Sequence, residues 1–166
     1  TDDLIAGYAL TYGKENEIVI SSFDSDFFQL ITDKVSVLRY RGDKTTICTP
    51  KYIKDKFNIT PFQYADFKSL TGDTSDNIKG ADKVCPKTAA LLLNECGSLE
   101  NIISNADGIK KPSIKQSIIR NAEKIRTNYK IIKLDNSAQL PFDMSERSYK
   151  FNVISTNEVL KGVGLK

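Results

Sequence analysis

Histidine is absent from this 166-residue chain, so the imidazole that many hydrolytic enzymes use as proton carrier or zinc ligand is ruled out. Any hydrolytic chemistry has to run on carboxylates. The three cysteines, Cys48, Cys85 and Cys96, form no Cys-x-x-Cys pair and have no histidine with which to share zinc, which argues against a structural zinc site and for reduced thiols. No apolar run reaches the ~20 residues of a membrane span, and no cleavable targeting signal opens the chain. A soluble, cytoplasmic protein without a membrane partner is expected. Internal repeats, coiled-coil heptads and low-complexity tracts are missing as well. The first residue is Thr1 rather than Met, which predicts a piece of a longer protein.

What the chain does contain is carboxylate in pairs: Asp2 with Asp3, Asp24 with Asp26, and Asp73 with Asp76. Clustered carboxylates repel one another, and a fold that gathers them usually compensates with divalent cations held by oxygen ligands, most often magnesium or manganese. Each pair also has a plainer reading. Asp2, Asp3, Asp24 and Asp26 stand where helix caps are common, and Asp73 and Asp76 flank a turn in which Asp often bonds its own backbone. The case for a metal site rests on the three pairs occurring together. The net charge of +3 is unevenly spread: acids outnumber bases from Asp2 to Asp33, whereas Lys110 to Lys133 carries a run of Lys and Arg against only Glu123. One region suits cations and the other suits phosphates, although a basic stretch is often just a solvated helix face.

With 40% apolar and 27% charged residues the chain can form one globular unit with a core. Leu4, Ile5, Tyr8 and Ala9 at helical spacing predict a helix over 2–12 stopped by Gly13, and Glu17 to Ser21 reads as a buried strand. A short helix over 26–31, strands over 35–40 and 45–48 around an Arg41-Gly42-Asp43 turn, and a helix over 50–57 follow. Thr60-Pro61 then starts a helix with Phe62, Ala65 and Leu70 on its apolar face and Gly72 as its end. Residues 72–84 are too rich in Gly, Asp, Ser and Asn for regular structure, and Pro86 opens a helix stopped at Gly97. Further helices are expected over 98–104 and 113–134, the second with Ile114, Ile118, Ala122, Ile125, Tyr129 and Ile132 as its buried stripe.

The segments TDDLIAGYA, ISSFDSDFFQLI and SLTGDTSDNIKGADKVCPKTAALLL, in this order, resemble successive motifs of the 5'-3' exonuclease family, which includes the 5'-nuclease domain of bacterial DNA polymerase I and the flap endonucleases. The resemblance runs from Thr1 to about Leu93 and more weakly to about Pro141. It implies an α/β fold: a partial Rossmann-like (PIN-like) sheet over 1–58, a helical helix-three-turn-helix region over 59–140, and a tail over 141–166 packing back on the core. It also implies that Asp2, Asp3, Asp24, Asp26, Asp73 and Asp76 help bind two Mg2+ or Mn2+ ions, with Asp24, Asp26, Asp73 and Asp76 catalytic. Two divalent ions ~4 Å apart can drive an in-line displacement without a histidine base. Lys83, Lys87, Thr88 and Lys115 are the implied contacts to duplex DNA carrying a 5' single-stranded end or flap, in replication and repair, because backbone N–H groups at a helix start attract phosphate.

Two departures stand out. Relatives read Gly-Val/Ile-Gly before the Lys-Thr-Ala of the helix start, whereas this chain reads Lys83-Val84-Cys85, losing the glycines that let backbone approach phosphate and weakening the implied potassium site there. The family's first strand, its upstream aspartates and its basic arch would lie before Thr1, so the missing half of the domain is an expected partner and the isolated chain is expected to be impaired. Two rival readings remain. A non-catalytic, structure-specific DNA-binding module would hold DNA without needing the aspartates, and a haloacid dehalogenase-like phosphatase shares the Asp-x-Asp but places its Gly-Asp after a strand rather than a helix.

Overall fold

In the computed structural model of the protein, which describes residues 1–41 and 44–144, a three-stranded sheet leads into a helical bundle. Helix α1 (Asp2–Tyr12) ends at Gly13, whose N–H reaches the Ala9 carbonyl at 2.9 Å. Strand β1 (Ile18–Ser21) lies parallel to β2 (Val35–Arg41), and β3 (Lys44–Cys48) is antiparallel to β2. Ile20, Val37 and Cys48 stand side by side across the three strands and are buried, so this face meets the core. Period-two alternation turns Val19 and Ile47 to the opposite face, where both are exposed. Gly42 and Asp43 of the expected turn lie outside the described residues.

The connection between β1 and β2 contains a 3-10 turn (Asp26–Leu30) rather than an α-helix, and it sends Phe27, Phe28 and Leu30 into the core. Phe28 anchors an aromatic cluster: Tyr64 meets it edge-on at 5.2 Å, and Phe57 in turn meets Tyr64 at 5.5 Å and Phe67 at 5.6 Å. Each such pair contributes about 0.5–1.5 kcal/mol beyond area burial, which fixes the 3-10 turn against the helices that follow.

Helix α2 (Pro50–Phe57) is capped by Thr49, whose hydroxyl accepts from the Tyr52 N–H. Thr60 and Gln63 cap each other across a 3-10 turn (Pro61–Gln63), and α3 (Tyr64–Thr71) begins only after it. Phe62, expected on the apolar face, is 68% exposed because the tighter turn rotates it outward. Gly72 ends α3 at φ +83. The segment expected to be irregular contains a minimal hairpin, β4 (Gly72–Asp73) against β5 (Ile78–Lys79). Helices α4 (Pro86–Cys96), α5 (Leu99–Ser104, capped by Ser98) and α6 (Pro112–Ile132) complete the bundle, with α3 packed between α4 and α6. Of the expected α6 stripe, Ile114, Ile118, Ile125 and Ile132 are buried, while Ala122 and Tyr129 are only half-buried.

Past α6 the chain returns to α1. Leu140 lies over Gly7, and the Tyr8 hydroxyl donates to the Phe142 carbonyl at 2.8 Å. Residues 145–166 of the tail lie outside the described residues. Among the described residues no helix is long and apolar enough to cross a membrane.

Asp66, in the first turn of α3, has its carboxyl pushed up to about 6 by burial, against the opposing pull of the Leu99 N–H and Lys133. Between the unfolded value near 3.8 and about 6 the folded protein holds a proton that the unfolded chain has released. The stability that Asp66 contributes is therefore fully present below this window and is lost as pH rises through it. Asp66→Asn, which keeps the acceptor for Leu99, is expected to flatten that decline and to raise stability at pH 7 by about 1–2 kcal/mol. Urea unfolding at pH 4 and pH 7 measures both effects; equal slopes for the two proteins would contradict the assignment.

Candidate metal centre and nucleic-acid interface

Asp24 and Asp26 follow β1 at its carboxyl end, where α/β sheets place their ligand sites. The chain turns there through side-chain acceptors: Ser22 Oγ accepts from the Asp24 N–H at 3.0 Å, and Asp24 Oδ1 accepts from the Asp26 N–H at 2.9 Å. Asp24 thus serves the local turn as well as standing at the site. Asp26 differs. Its Oδ1 is buried with no hydrogen-bond partner among the described residues. Burial first, and then the neighbouring charges of Asp24, Asp73 and Asp76, push its carboxyl up to about 6, with Lys68 opposing them.

Asp73 lies just past the C-terminal end of α3, and its charge acts on Asp26. It is 4% exposed, forms an ion pair with Lys68, and accepts from both the N–H and the hydroxyl of Ser75. Burial raises its carboxyl, but the Lys68 and Ser75 hydrogen bonds outweigh burial and hold it below the usual carboxylate range. Asp76 is exposed on the same hairpin. Tyr64 completes the surroundings: its phenol, pushed up to about 12 by burial, bonds Ser25 and feels Asp26 and Asp73.

The charges of Asp73, Asp76 and Asp24 thus all act on Asp26, and Lys68, paired with Asp73, opposes them. Asp2 and Asp3 lie exposed in the first turn of α1, and Asp3 Oδ1 accepts from the Asp135 N–H at 2.8 Å instead. Among the described residues no three carboxylates, cysteines or histidines converge closely enough to share one ion. Lys68 supplies positive charge beside Asp73 and within reach of Asp26. The donors still fit a hard divalent ion: every candidate ligand is a carboxylate, and the partnerless Oδ1 of Asp26 faces a locally acidic neighbourhood. Sequence reading missed Lys68 and Tyr64. They share one face of α3 at i and i+4, and Lys68 precedes Asp73 by five residues, a cation on a buried face just before an acidic turn.

Most of the expected nucleic-acid contacts cluster around the turn before α4. Lys83 holds φ +62, the left-handed conformation that favours glycine, and its ammonium is exposed. Lys87 is exposed and Thr88 half-buried in the first turn of α4, and Cys85 Sγ lies 3.3 Å from Thr88 Oγ1. The Thr88 hydroxyl, followed by the N–H groups of Thr88 and Lys87, holds the Cys85 thiol below its ordinary value, so this helix start attracts negative charge. Lys115 is engaged by Asp107 at 2.7 Å. Ser117 of α6 donates to the Asp82 carbonyl, which ties the Lys83 turn to the basic helix.

Residues 59–155 match the family described as 5'-3' exonuclease, C-terminal SAM fold. The chain belongs to the 5'-3' exonuclease family. It is 37% identical over 143 residues to the thermostable DNA polymerase I of Thermus filiformis, covering 86% of this chain and 17% of that one. It is 33% identical over 152 residues to a 5'-3' exonuclease of Buchnera aphidicola subsp. Acyrthosiphon pisum, covering 86% of this chain and 51% of that one. The chain thus spans about half the length of the exonuclease and a small share of the polymerase. Among solved structures, T5 5'-exonuclease with bound divalent zinc superposes with a TM-score of 0.71 at 24% identity, covering 80% of this chain and 49% of that one, which supports the fold. A mixed α/β portion followed by a helical region is the architecture expected from sequence, and the matched family describes the helical part as a SAM fold. Family membership removes the haloacid dehalogenase-like reading.

At Lys83 the backbone carries the cost of a side chain in a glycine conformation. Lys83→Gly is expected to raise stability by about 0.5–1 kcal/mol, whereas Lys83→Ala should not. Thermal unfolding of the two variants reads the difference, and equal midpoints would mean that the left-handed turn is not strained.

Proposed function

We propose that the chain is part of a metal-dependent 5'-3' exonuclease or flap endonuclease that hydrolyses DNA phosphodiester bonds and is impaired in isolation, with residues 1–58 forming part of its metal-binding core, 59–140 its duplex-gripping helices and 141–166 a tail against the core. The observation that carries this reading is the buried, partnerless Asp26 Oδ1 beside the Lys68–Asp73 pair, at the carboxyl end of β1. Two Mg2+ or Mn2+ ions, when bound, supply the Lewis-acid charge that an in-line phosphodiester displacement needs where no histidine is present. Asp24, Asp26, Asp73 and Asp76 would hold them, joined by Asp2 and Asp3 from α1. Lys68 keeps Asp73 ionised before any cation arrives. Positive charge entering the site would draw the Asp26 carboxyl back down, against the burial and the neighbouring carboxylates that raise it.

Substrate positioning falls to the other half. Lys83 and Lys87, with the N–H groups around Thr88, suit the phosphates of a duplex, and Lys115 adds charge at the start of α6. Lys83 brings its own positive charge to the turn where the family's potassium ion would sit, so it takes over the phosphate-facing role. A second reading, a DNA-binding module that does not cleave, draws support from the altered turn before α4, where Lys83 holds a left-handed backbone.

Manganese titration decides between them. The wild type is expected to bind Mn2+, and Asp24→Asn/Asp26→Asn to lose at least tenfold in affinity; unchanged affinity would sink the metal site and favour the non-catalytic reading. For DNA, duplex affinity should fall steeply with salt and show little sequence preference, since backbone contacts carry no base information. Each lost phosphate contact reduces the log–log slope by about 0.9. A salt slope unaltered in Lys83→Ala/Lys87→Ala would remove the turn and α4 from the interface.

A further inference from the structure

Two segments carry the site's buried carboxylates, and both are fastened to the same stretch of α6 by a buried amide side chain. Asn128, 6% exposed, donates from Nδ2 to the Ser69 carbonyl at 3.1 Å and to the Lys79 carbonyl at 3.0 Å. Only the NH2 group can serve two carbonyls, so the orientation of the amide is fixed by its partners. Ser69 lies in the last turn of α3, where a carbonyl has lost its helical partner, and a single bond would satisfy it. The second bond, to Lys79, is not needed for capping. It reaches the other limb of the β4–β5 hairpin, since Lys79 is the ladder partner of Gly72.

Gln29 does the same for the other segment. It is 3% exposed in the 3-10 turn that begins with Asp26; its Nε2 donates to the Ile132 carbonyl at 3.0 Å, and its Oε1 accepts from the Leu134 N–H at 3.1 Å. One end of one helix therefore holds the Asp26 turn and the Asp73 hairpin together. Both need an external hold. A two-residue ladder is marginal by itself, and the 3-10 turn has no regular neighbour in the sheet.

We propose that the C-terminal half of α6 is the frame that sets the spacing of Asp26 and Asp73, with Asn128 and Gln29 as positioning residues. On the metal-site reading above, this couples the helix that carries Arg120, Lys124 and Lys130 to the geometry of the metal ligands. Engagement of duplex phosphates by α6 then bears on the metal centre through two amides rather than through a moving lid.

The test uses Asn128→Leu and Gln29→Leu, near in size but unable to make these bonds, with Ile118→Val as a control that loosens α6 elsewhere. Hydrogen–deuterium exchange without metal is expected to quicken at least tenfold over 72–81 in Asn128→Leu and over 26–34 in Gln29→Leu, with neither segment singled out in the control. Mn2+ affinity is expected to fall about tenfold in each Leu variant and to stay unchanged in Ile118→Val. Exchange that rises equally in all three, or not at all, overturns the frame. Quickened exchange with unaltered Mn2+ affinity, where Asp24→Asn/Asp26→Asn does lose it, overturns the positioning role. Loss of the effect of the Asp variants themselves would instead refute the metal site, while exchange still decides the frame. Should a Leu variant fail to fold, the wild type suffices: the Asn128 side-chain amide protons are expected to exchange at least tenfold more slowly than those of an exposed asparagine, and free exchange of either overturns the clamp.

Discussion

Asp73 is ionised in the protein interior because Lys68 is there to meet it, and much of the surrounding architecture follows from that pairing. A buried carboxylate without a partner would take up a proton, as Asp26 tends to do. Removing one member of a buried pair typically costs about 3–5 kcal/mol, since it strands a charge away from water. The pair has a geometric consequence as well. Lys68 projects from α3 and Asp73 follows the end of the same helix, so the chain must reverse sharply between them for the two side chains to meet.

Gly72 makes that turn at φ +83, and Gly80 on the returning limb of the hairpin packs against it. A Cβ on Gly72 would sit 2.5 Å from the Gly80 nitrogen, and one on Gly80 would sit 2.3 Å from the Thr71 carbonyl carbon. No side chain fits between the strands at this point. The Ala81 N–H closes the base on the Leu70 carbonyl at 2.8 Å. The acidic hairpin is thus rigid at its base by backbone contact and held laterally by Asn128, while Asp76 at its tip remains exposed. Rigidity where Asp73 sits and exposure where Asp76 sits suit a site that must keep its shape while a large polymer approaches.

Much of this was legible in the sequence, and the parts that were not have physical causes. Helix ends marked by Gly13, Pro50, Gly72, Pro86 and Gly97 fall where proline and glycine put them, because these signals are local. The 3-10 character of 26–30 and 61–63 was hidden, since tertiary packing of Phe28 and the Thr60–Gln63 cap decide the turn geometry. The β4–β5 hairpin escaped because two-residue strands leave no periodic trace. Pairs of aspartates flag the acidic centre, yet the residues that govern its charge and spacing are Lys68, Gln29 and Asn128. Their partners lie at sequence distances of 5, 103 and 59 residues, and the two longer ones are beyond any local pattern.

The same contrast between local and distant causes explains the turn before α4. Where relatives have glycines, Lys83 bears a left-handed backbone and Cys85 sets its thiol over the helix start. Both changes would weaken a phosphate site that depended on close backbone approach alone. They add compensations of another kind: an exposed ammonium one residue from a turn fixed to α6 by Ser117, and a helix start whose field already favours anions. A phosphate held by side-chain charge rather than by backbone contact is bound less tightly in geometry and more by long-range attraction. On the proposed function, grip at this turn would depend more steeply on ionic strength than glycine-lined backbone contact alone would, and the proposed α6 frame would carry the positional precision that the turn has given up.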